Sequence, residues 1–216
     1  MFRVLYYPHA LLSKKASAVL QFNEELRTFL KELLATMYEF DGGGIAAPQV
    51  GVSKRIFISD FGETLRCDRE DKSAPPFFYQ VFDAQGNEKE VKFPAVFINP
   101  EIVKQDVSIQ TDWEGCLSFP GAPSCCIDRF HEVEIKAQDE YGEWFSVKTN
   151  HLYAAVNFQH EVDHLDGITM LHRWSKQEYV EKDVVEAIKT TLNESSVCKR
   201  LKKLKLNDAT KLKLNF

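Results

Sequence analysis

The stretch NHLYAAVNFQHEVDHL, residues 150–165, decides the fold. Its pattern predicts an α-helix without a wholly polar face, because apolar residues occur on all of its sides: Leu152, Ala155, Val156, Phe158, Val162 and Leu165. A helix of this kind is buried, so the other elements have to surround it. We therefore expect an α+β fold in which antiparallel β-sheets enclose this central helix.

The same helix carries the HExxH pattern, in which two histidines are separated by about one helical turn. Residues four apart lie on one face of a helix, so the imidazoles of His160 and His164 can bind one metal ion. Glu161 then lies beside the open coordination position. Two unpartnered histidines on a buried helix would be costly to desolvate, which favours a metal site over a chance match.

A catalytic metal site needs a third protein ligand, and several residues could provide it. A metzincin would have a histidine ten residues after the first, but that position is Met170. Glu178 and Glu181 are available in the manner of thermolysin, without a supporting motif. Cys116, in a glycine-bearing loop, would place a thiolate beside two imidazoles, which suits zinc or iron.

A third segment, DGGGIAAPQ (41–49), is rich in glycine and alanine, which allow the backbone to approach an extended substrate closely. Gln49 can donate a side-chain N–H to a developing oxyanion. The segment also fits a GxGxxA dinucleotide loop, but that loop needs a strand before it and a helix directly after it. Pro48 and Gly51 would break such a helix, so we expect no nicotinamide or nucleotide cofactor.

Together, GGGIAAPQ (42–49), EGCLS (114–118) and QHEVDHLDG (159–167) resemble, in order, the three signature motifs of peptide deformylases. The resemblance covers about residues 3–172. It implies a metal-dependent hydrolase of protein biosynthesis, which removes the formyl group from the N-terminal formylmethionine of nascent proteins and releases formate.

The resemblance also implies a role for each motif position. The implied site residues are the metal ligands Cys116, His160 and His164, the catalytic residues Glu161, Gln49 and Leu117, and the substrate-binding residues Gly42 and Gly44. Glu161 would act first as base and then as acid, while Gln49 and the Leu117 backbone N–H would stabilise the oxyanion. The family uses one divalent ion, commonly Fe(II), and accepts zinc, nickel or cobalt.

The chain departs from the family pattern after the cysteine. Many members carry an arginine seven residues beyond it, where this chain has Pro123, and the difference concerns substrate binding rather than chemistry. A second family arginine usually pairs with the aspartate of the HExDH segment. The nearest candidate here is Arg129, which we expect to face Asp163.

The flanking segments predict the remaining elements and their organisation. We expect a helix capped by Asn23 over 23–41, strands at 55–59, 96–99, 131–137 and 144–148, a long loop or hairpin over 62–93, and a helix over 176–193. The helix over 176–193 would begin with a capping box of Ser175 and Glu178. We expect a deformylase-like catalytic domain over residues 1–175 and a helical, basic C-terminal extension over 176–216.

Composition predicts an ordinary globular protein. The 216 residues are 44% hydrophobic with a net charge of −5, which gives no whole-protein argument for nucleic-acid binding. No stretch has the length of a signal peptide's apolar core or of a membrane span. The five cysteines, with Cys125 and Cys126 adjacent, do not form a tidy disulfide framework, so we expect a cytoplasmic protein. Alternation along a strand predicts one inward and one outward thiol at this pair.

The last stretch, 199–216, carries seven basic residues against Asp208 alone. It is either a solvated end or a segment that binds the ribosome through RNA phosphates, near the emerging N-formylmethionyl peptides.

Two other classes of protein remain open. A zincin-like metallopeptidase would use the same HExxH helix to cleave internal peptide bonds and would not need Cys116. A binding module with a closed structural metal site would have four protein ligands and no hydrolytic activity. Only the deformylase interpretation accounts for all three motifs together.

Overall fold

The structure is a computed structural model that describes residues 1–71, 73, 76–90, 92–174, 181–194, 207–212 and 214–216. Five α-helices and nine β-strands occur within these residues, in the order α1 (Glu24–Glu39), β1 (Gly44–Ala46), β2 (Ile56–Ser59), α2 (Gly62–Glu70), β3 (Tyr79–Asp83), β4 (Glu88–Lys89), β5 (Ala95–Gln105), β6 (Ile109–Glu114), β7 (Cys125–Phe130), β8 (Val133–Gln138), β9 (Trp144–Thr149), α3 (Leu152–Leu165), α4 (Met170–Arg173) and α5 (Glu181–Glu194). Short 3-10 helices lie at Ala10–Ser13, Ala47–Val50 and Ala209–Lys211.

Seven strands form one sheet in the order β1-β2-β5-β8-β9-β3-β4, and β6 pairs with β7 in a second, two-stranded sheet. Every described pairing of these strands is antiparallel. The α+β class with antiparallel sheets is therefore confirmed. The predicted strands at 55–59, 96–99, 131–137 and 144–148 correspond to β2, the first half of β5, β8 and β9.

The helix α3 lies between the sheets and contacts β1, β2, β5 and β7. Ala154, Ala155, Phe158 and Leu165 are fully buried in one apolar cluster with the large sheet. The predicted buried central helix is thus confirmed, with one correction at its start. Leu152 is 47% exposed, because the first turn of α3 reaches the protein surface.

The 62–93 segment contains the expected hairpin, β3–β4, but also the helix α2, which the sequence analysis missed. Leu65 is the buried residue within α2, so the helix has little apolar periodicity to reveal it. Its visible signal is charge spacing. Arg66 pairs with Glu63 and Glu70, three and four residues away on the same helical face.

The remaining helices agree with the sequence where the structure describes them. Asn23 caps α1, since its side chain accepts a hydrogen bond from the Leu26 N–H at 3.0 Å. The α5 helix matches the later part of the predicted 176–193 helix, whereas the expected capping pair, Ser175 and Glu178, lies outside the described residues.

The described end of the chain is not a solvated tail. Phe216 is 3% exposed and packs against Phe29, with ring centroids 5.4 Å apart. Asn207 forms a β-bridge with Phe2, and Ala209 is buried in the same apolar cluster. The prediction of a solvated end is therefore wrong for Ala209 and Phe216, whereas most of the other described residues of this stretch are exposed. Residues 199–206 and 213 lie outside the described part.

We expect Phe216→Ala to lower the free energy of unfolding by about 3 kcal/mol, because it removes a buried aromatic ring and leaves a cavity. Denaturant titration measures this change. Leu212→Ala is the matched control, since Leu212 is 45% exposed and its truncation should cost less than about 0.5 kcal/mol. Equal effects of the two substitutions would contradict the packing described for the chain end.

Candidate metal centre

A cleft of about 390 Å³ beside α3 brings the three sequence motifs together. The glycine segment before and within β1, the loop after β6 and one face of α3 form its walls. The lining residues are Asp41, Gly42, Gly43, Gly44, Gln49, Trp113, Glu114, Gly115, Cys116, Leu117, Tyr153, Val156, Asn157, His160 and Glu161.

Three potential metal ligands converge at the inner end of this cleft. One ligand atom each from Cys116, His160 and His164 lies within 4.8 Å of the other two. The Sγ atom of Cys116 is 3.2 Å from Nε2 of His164. The two histidines occupy successive turns of α3, and Cys116 reaches them from the loop that follows β6.

Both histidines are buried, and their surroundings favour a neutral, ligating imidazole at one of them. Burial, together with the charges of His160 and Arg129, lowers the pKa of His164 well below its ordinary value. A neutral ring keeps its lone pair available for a metal ion. Nδ1 of His160 is 2.7 Å from Oε2 of Glu114, so its Nε2 is the ring nitrogen left for a ligand.

Glu114 belongs to a buried chain of charges centred on Arg129, which is 4% exposed. Arg129 donates Nε to Oε1 of Glu114 at 2.6 Å and Nη1 to Oδ2 of Asp163 at 2.6 Å. Burial acts to raise the pKa of Glu114, but hydrogen bonds from Arg129 and His160 outweigh it and hold that pKa below its usual range. The expected pairing of Arg129 with Asp163 is confirmed.

Glu161 is buried beside the three converging ligands and is 3% exposed. Among the described residues, its Oε2 atom has no hydrogen-bond partner. Burial raises the pKa of Glu161 from 4.5 to about 7, against the opposing charge of His160. A carboxyl group with a pKa near neutrality can both accept and return a proton at neutral pH.

The glycine segment lies so close to α3 and the Cys116 loop that side chains would not fit. A Cβ atom on Gly44 would lie 2.5 Å from Oε1 of Glu161, and one on Gly42 would lie 2.9 Å from Cδ1 of Leu117. No side chain of these glycines therefore separates the backbone of this segment from the cleft. Leu117 itself is half-buried and lines the same cleft.

The amide of Gln49 is held in a fixed orientation. The backbone N–H of Ala46 donates to its Oε1 at 2.7 Å. Its Nε2 therefore points toward the centre, where it donates to Oγ of Ser118 at 3.3 Å and to Sγ of Cys116 at 3.6 Å. The side chain is almost fully buried, so this donor is positioned before any substrate arrives.

The other candidates for a third ligand lie elsewhere or outside the described residues. Glu181 accepts a hydrogen bond from the Tyr7 hydroxyl, and Glu178 is not described. In the described part of the chain, the group of potential metal ligands that contains both histidines has Cys116 as its third member.

The two neighbouring cysteines and Pro123 take no part in this centre. Cys125 is fully buried whereas Cys126 is half-buried, which confirms the expected alternation. Pro123 is half-buried and does not line the cleft.

Four residues near the centre had no role in the sequence analysis: Glu114, Asn157, Tyr153 and Arg173. Metal-binding histidines commonly donate their second ring nitrogen to a carboxylate, which could have indicated Glu114 two residues before Cys116. Helical spacing from Glu161 could have placed Asn157 and Tyr153 on the cleft face of α3. Arg173, which pairs with Asp163 at 2.8 Å, gave no signal in the sequence.

The donor set fits a transition-metal ion. One thiolate and two imidazoles are soft and borderline ligands that suit iron or zinc, and three protein ligands leave a coordination position open. The partnerless Oε2 of Glu161 beside that position gives a buried acceptor for a proton. We conclude that the described residues can form a catalytic rather than a closed structural metal site.

Comparison with known proteins agrees with this geometry. A family model described as Polypeptide deformylase matches residues 1–180. The peptide deformylase of Acidobacterium capsulatum is 36% identical over 172 residues, covering 80% of this chain and 85% of that protein. The peptide deformylase of Wolinella succinogenes is 34% identical over 194 residues, covering 89% of this chain and 100% of that protein.

Solved structures give the same result. The crystal structure of peptide deformylase from Thermotoga maritima is 34% identical, with a TM-score of 0.65, and covers 82% of this chain and 99% of that one. The structure of a peptide deformylase from Synechococcus elongatus in complex with actinonin is 30% identical, with a TM-score of 0.66, and covers 88% of this chain and 87% of that one.

The raised pKa of Glu161 predicts a pH-dependent effect on stability in the metal-free protein. Its folded-state pKa lies above the unfolded value near 4.5, so this group makes the fold less stable as the pH rises from about 4.5 to about 7, and the loss is complete above that pH, where Glu161 is ionised in both states. Between pH 4 and pH 9, the stability of Glu161→Gln relative to the unmodified protein should rise by about 3 kcal/mol.

Chemical denaturation at both pH values measures this difference. Glu101→Gln, at an exposed position of β5, is the control and should differ little from the unmodified protein at either pH. If the stability difference between Glu161→Gln and the unmodified protein is the same at pH 4 and pH 9, burial does not raise the pKa of Glu161.

Proposed function

The chain belongs to the peptide deformylase family and is a metal-dependent hydrolase that removes the formyl group from N-terminal methionine, and we propose how its residues share this reaction. In this proposal Cys116, His160 and His164 hold one divalent ion, and Glu161 transfers the proton. The observation that carries it is the convergence of three ligand atoms within 4.8 Å beside a buried carboxylate.

The resident ion in this proposal is Fe(II), with zinc, nickel or cobalt as substitutes. The thiolate and two imidazoles support this choice because they suit iron and zinc better than magnesium or calcium. When bound, the ion supplies Lewis-acid activation of water and of the formyl carbonyl group. Glu114 supports the ligand set by holding Nδ1 of His160 at 2.7 Å, which fixes the direction of the other ring nitrogen.

Glu161 is the proposed base and acid. Its carboxylate accepts the proton of the water molecule that attacks the formyl carbon, and then gives a proton to the nitrogen of the leaving amine. The C–N bond breaks, and formate and a free amino terminus result. Its pKa of about 7 and the partnerless Oε2 atom support both steps, because the group exchanges a proton readily near neutral pH.

Gln49 and Leu117 are the proposed donors to the oxyanion that develops on the formyl oxygen. The Gln49 Nε2 atom is aimed at the centre because Ala46 holds the other end of the amide. The Leu117 donor is its backbone N–H, one residue after Cys116. Gly42 and Gly44 bind the peptide through their backbone, which the missing side chains leave accessible.

The zincin-like metallopeptidase is not favoured, because the family match covers residues 1–180 and includes the cysteine that a zincin does not need.

We further propose a catalytic domain over residues 1–175 with a helical, basic extension over 176–216, and a cytoplasmic location. The described thiols of Cys67, Cys116, Cys125 and Cys126 are free, as is usual in a reducing compartment. Among the described helices, none has the length and apolar character required to cross a membrane.

Formate release from formyl-Met-Ala-Ser tests the proposed roles. With anaerobically purified protein, Glu161→Ala should lower kcat at least about 100-fold while keeping one metal equivalent, because it removes only the proton carrier. Cys116→Ala should lose the metal and the activity together. Glu101→Ala is the matched control at an exposed glutamate and should behave as the unmodified protein.

Two results would contradict the assignment. Full activity in Glu161→Ala would remove this residue from the proton transfer. Cleavage of internal peptide bonds that persists in Cys116→Ala would instead indicate the metallopeptidase.

The basic stretch is proposed to bind the ribosome through electrostatic pairing with RNA phosphates. Replacing its five basic residues between 199 and 205 by glutamine should weaken binding and reduce its salt dependence, by roughly 0.7–0.9 in logarithmic slope for each phosphate that is no longer neutralised. This design leaves the packed residues 207–212 and 214–216 intact. Replacing the exposed Lys31, Lys92 and Lys104 is the control.

Sedimentation with ribosomes across a salt series measures this binding. Binding that is unchanged by the substitutions, or that does not depend on salt, would refute the ribosome proposal.

A further inference from the structure

One face of α3 continues beyond the metal centre toward the open end of the cleft. Five residues share this face, because four of them follow Tyr153 at spacings of three, four, seven and eight residues. All five line the cleft: Tyr153, Val156, Asn157, His160 and Glu161. Asn157 lies one helical turn before Glu161. It is the amide-bearing side chain of this face, and the proposed reaction leaves it without a role.

The amide of Asn157 is oriented by a buried hydroxyl group. Oγ of Ser59, on β2, donates to Oδ1 of Asn157 at 2.5 Å, and Ser59 is fully buried. This leaves Nδ2 on the side of Gly44 and Glu161. A Cβ atom placed on Gly44 would lie 2.6 Å from Nδ2 of Asn157 and 2.5 Å from Oε1 of Glu161.

The opposite orientation of this amide is disfavoured by electrostatics. It would turn Oδ1 toward the Glu161 carboxylate, so that two acceptors faced each other in a site of low polarity. With Nδ2 on that side, a donor faces an acceptor. Within the described residues Nδ2 has no hydrogen-bond partner, so its N–H groups are available to a bound molecule.

Covalent geometry indicates what reaches this position. The formyl carbon has to lie between the converging ligands and Glu161. From that carbon to the sulfur of methionine there are five bonds, which span roughly 6 Å when extended. One turn of α3 spans about 5.4 Å, so the end of the first side chain can reach the level of Val156 and Asn157.

We propose that Asn157 is a specificity-determining residue that donates a hydrogen bond from Nδ2 to an acceptor at the end of the peptide's first side chain. The inference rests on the proposed function of the metal centre. A thioether is a weak acceptor, whereas the oxygen of a sulfoxide is a strong one. The cleft therefore takes formyl peptides that begin with oxidised methionine as well as methionine, and it disfavours the isosteric norleucine.

A purely structural role for Asn157 makes a different prediction. If the amide only ties α3 to β2 through Ser59, its replacement changes stability and lowers activity equally for every first side chain. Ratios of kcat/KM between substrates separate the two roles, because they cancel any general loss of active protein.

The test compares formyl-X-Ala-Ser peptides in which X is methionine, methionine sulfoxide or norleucine. In the metal-loaded Asn157→Leu protein, the kcat/KM ratio of sulfoxide to norleucine should fall about tenfold, because the sulfoxide oxygen loses its partner in the cleft. The ratio of methionine to norleucine should fall only about twofold. Calorimetric binding of the deformylated products should show the same order without turnover.

Ser59→Ala is the second variant, because it keeps Asn157 and adds no bulk while it frees the amide to rotate. It should lower the kcat/KM ratio of sulfoxide to norleucine by about threefold. If Asn157→Leu does not fold, this variant decides the question. Leu152→Ala is the control on the same helix, and it should leave the ratio within about twofold, because Leu152 is 47% exposed and does not line the cleft.

The outcomes separate the proposed function from the role of Asn157. Absence of formate release from the methionine peptide by the unmodified, metal-loaded protein would overturn the proposed function and this inference with it. Release with a sulfoxide-to-norleucine ratio that neither Asn157→Leu nor Ser59→Ala changes would overturn the role of Asn157 alone.

Discussion

The buried guanidinium of Arg129 is the interaction on which the rest of the site depends. It lies on β7 and joins a carboxylate at the end of β6 to a carboxylate on α3, within a region that excludes water. Glu114 in turn fixes the ring of His160. Removing the arginine would leave Glu114 with His160 alone and Asp163 with the half-exposed Arg173 alone, so two buried carboxylates would lose the buried positive charge between them, which is costly in a protein interior. The small sheet, the helix and the metal ligands are thus held in register by one side chain.

The helix α3 serves two purposes that compete for the same residues. One side must be apolar to fill the core between the sheets, and the other must carry the histidines, Glu161 and Asn157. Helical periodicity keeps these demands apart, because Phe158 and Leu165 point into the core while His160 and Glu161 line the cleft or its inner end. Polar groups can therefore be buried here without disturbing the packing, provided that each has a partner or a substrate to bind.

Local patterns in the sequence predicted much of this arrangement. The cap at Asn23, the alternation that became β8 and the spacing of His160 and His164 each depend on neighbours within a few residues. What escaped prediction depends on contacts between distant segments. The helix α2 has few apolar residues, the role of Glu114 requires β7 and α3 to be in place, and the orientation of Asn157 depends on Ser59 from another strand.

The aromatic packing of Phe216 has a consequence for the order of folding. Phe2, Phe29 and Phe216 belong to one apolar cluster, although almost the whole described chain separates the first from the last. Closing so long a loop costs entropy before the burial of the rings can compensate for it, so we expect the contacts of Phe216 to form later than those between neighbouring segments. The part of the core under α1 therefore remains incomplete while the sheets and α3 can already associate.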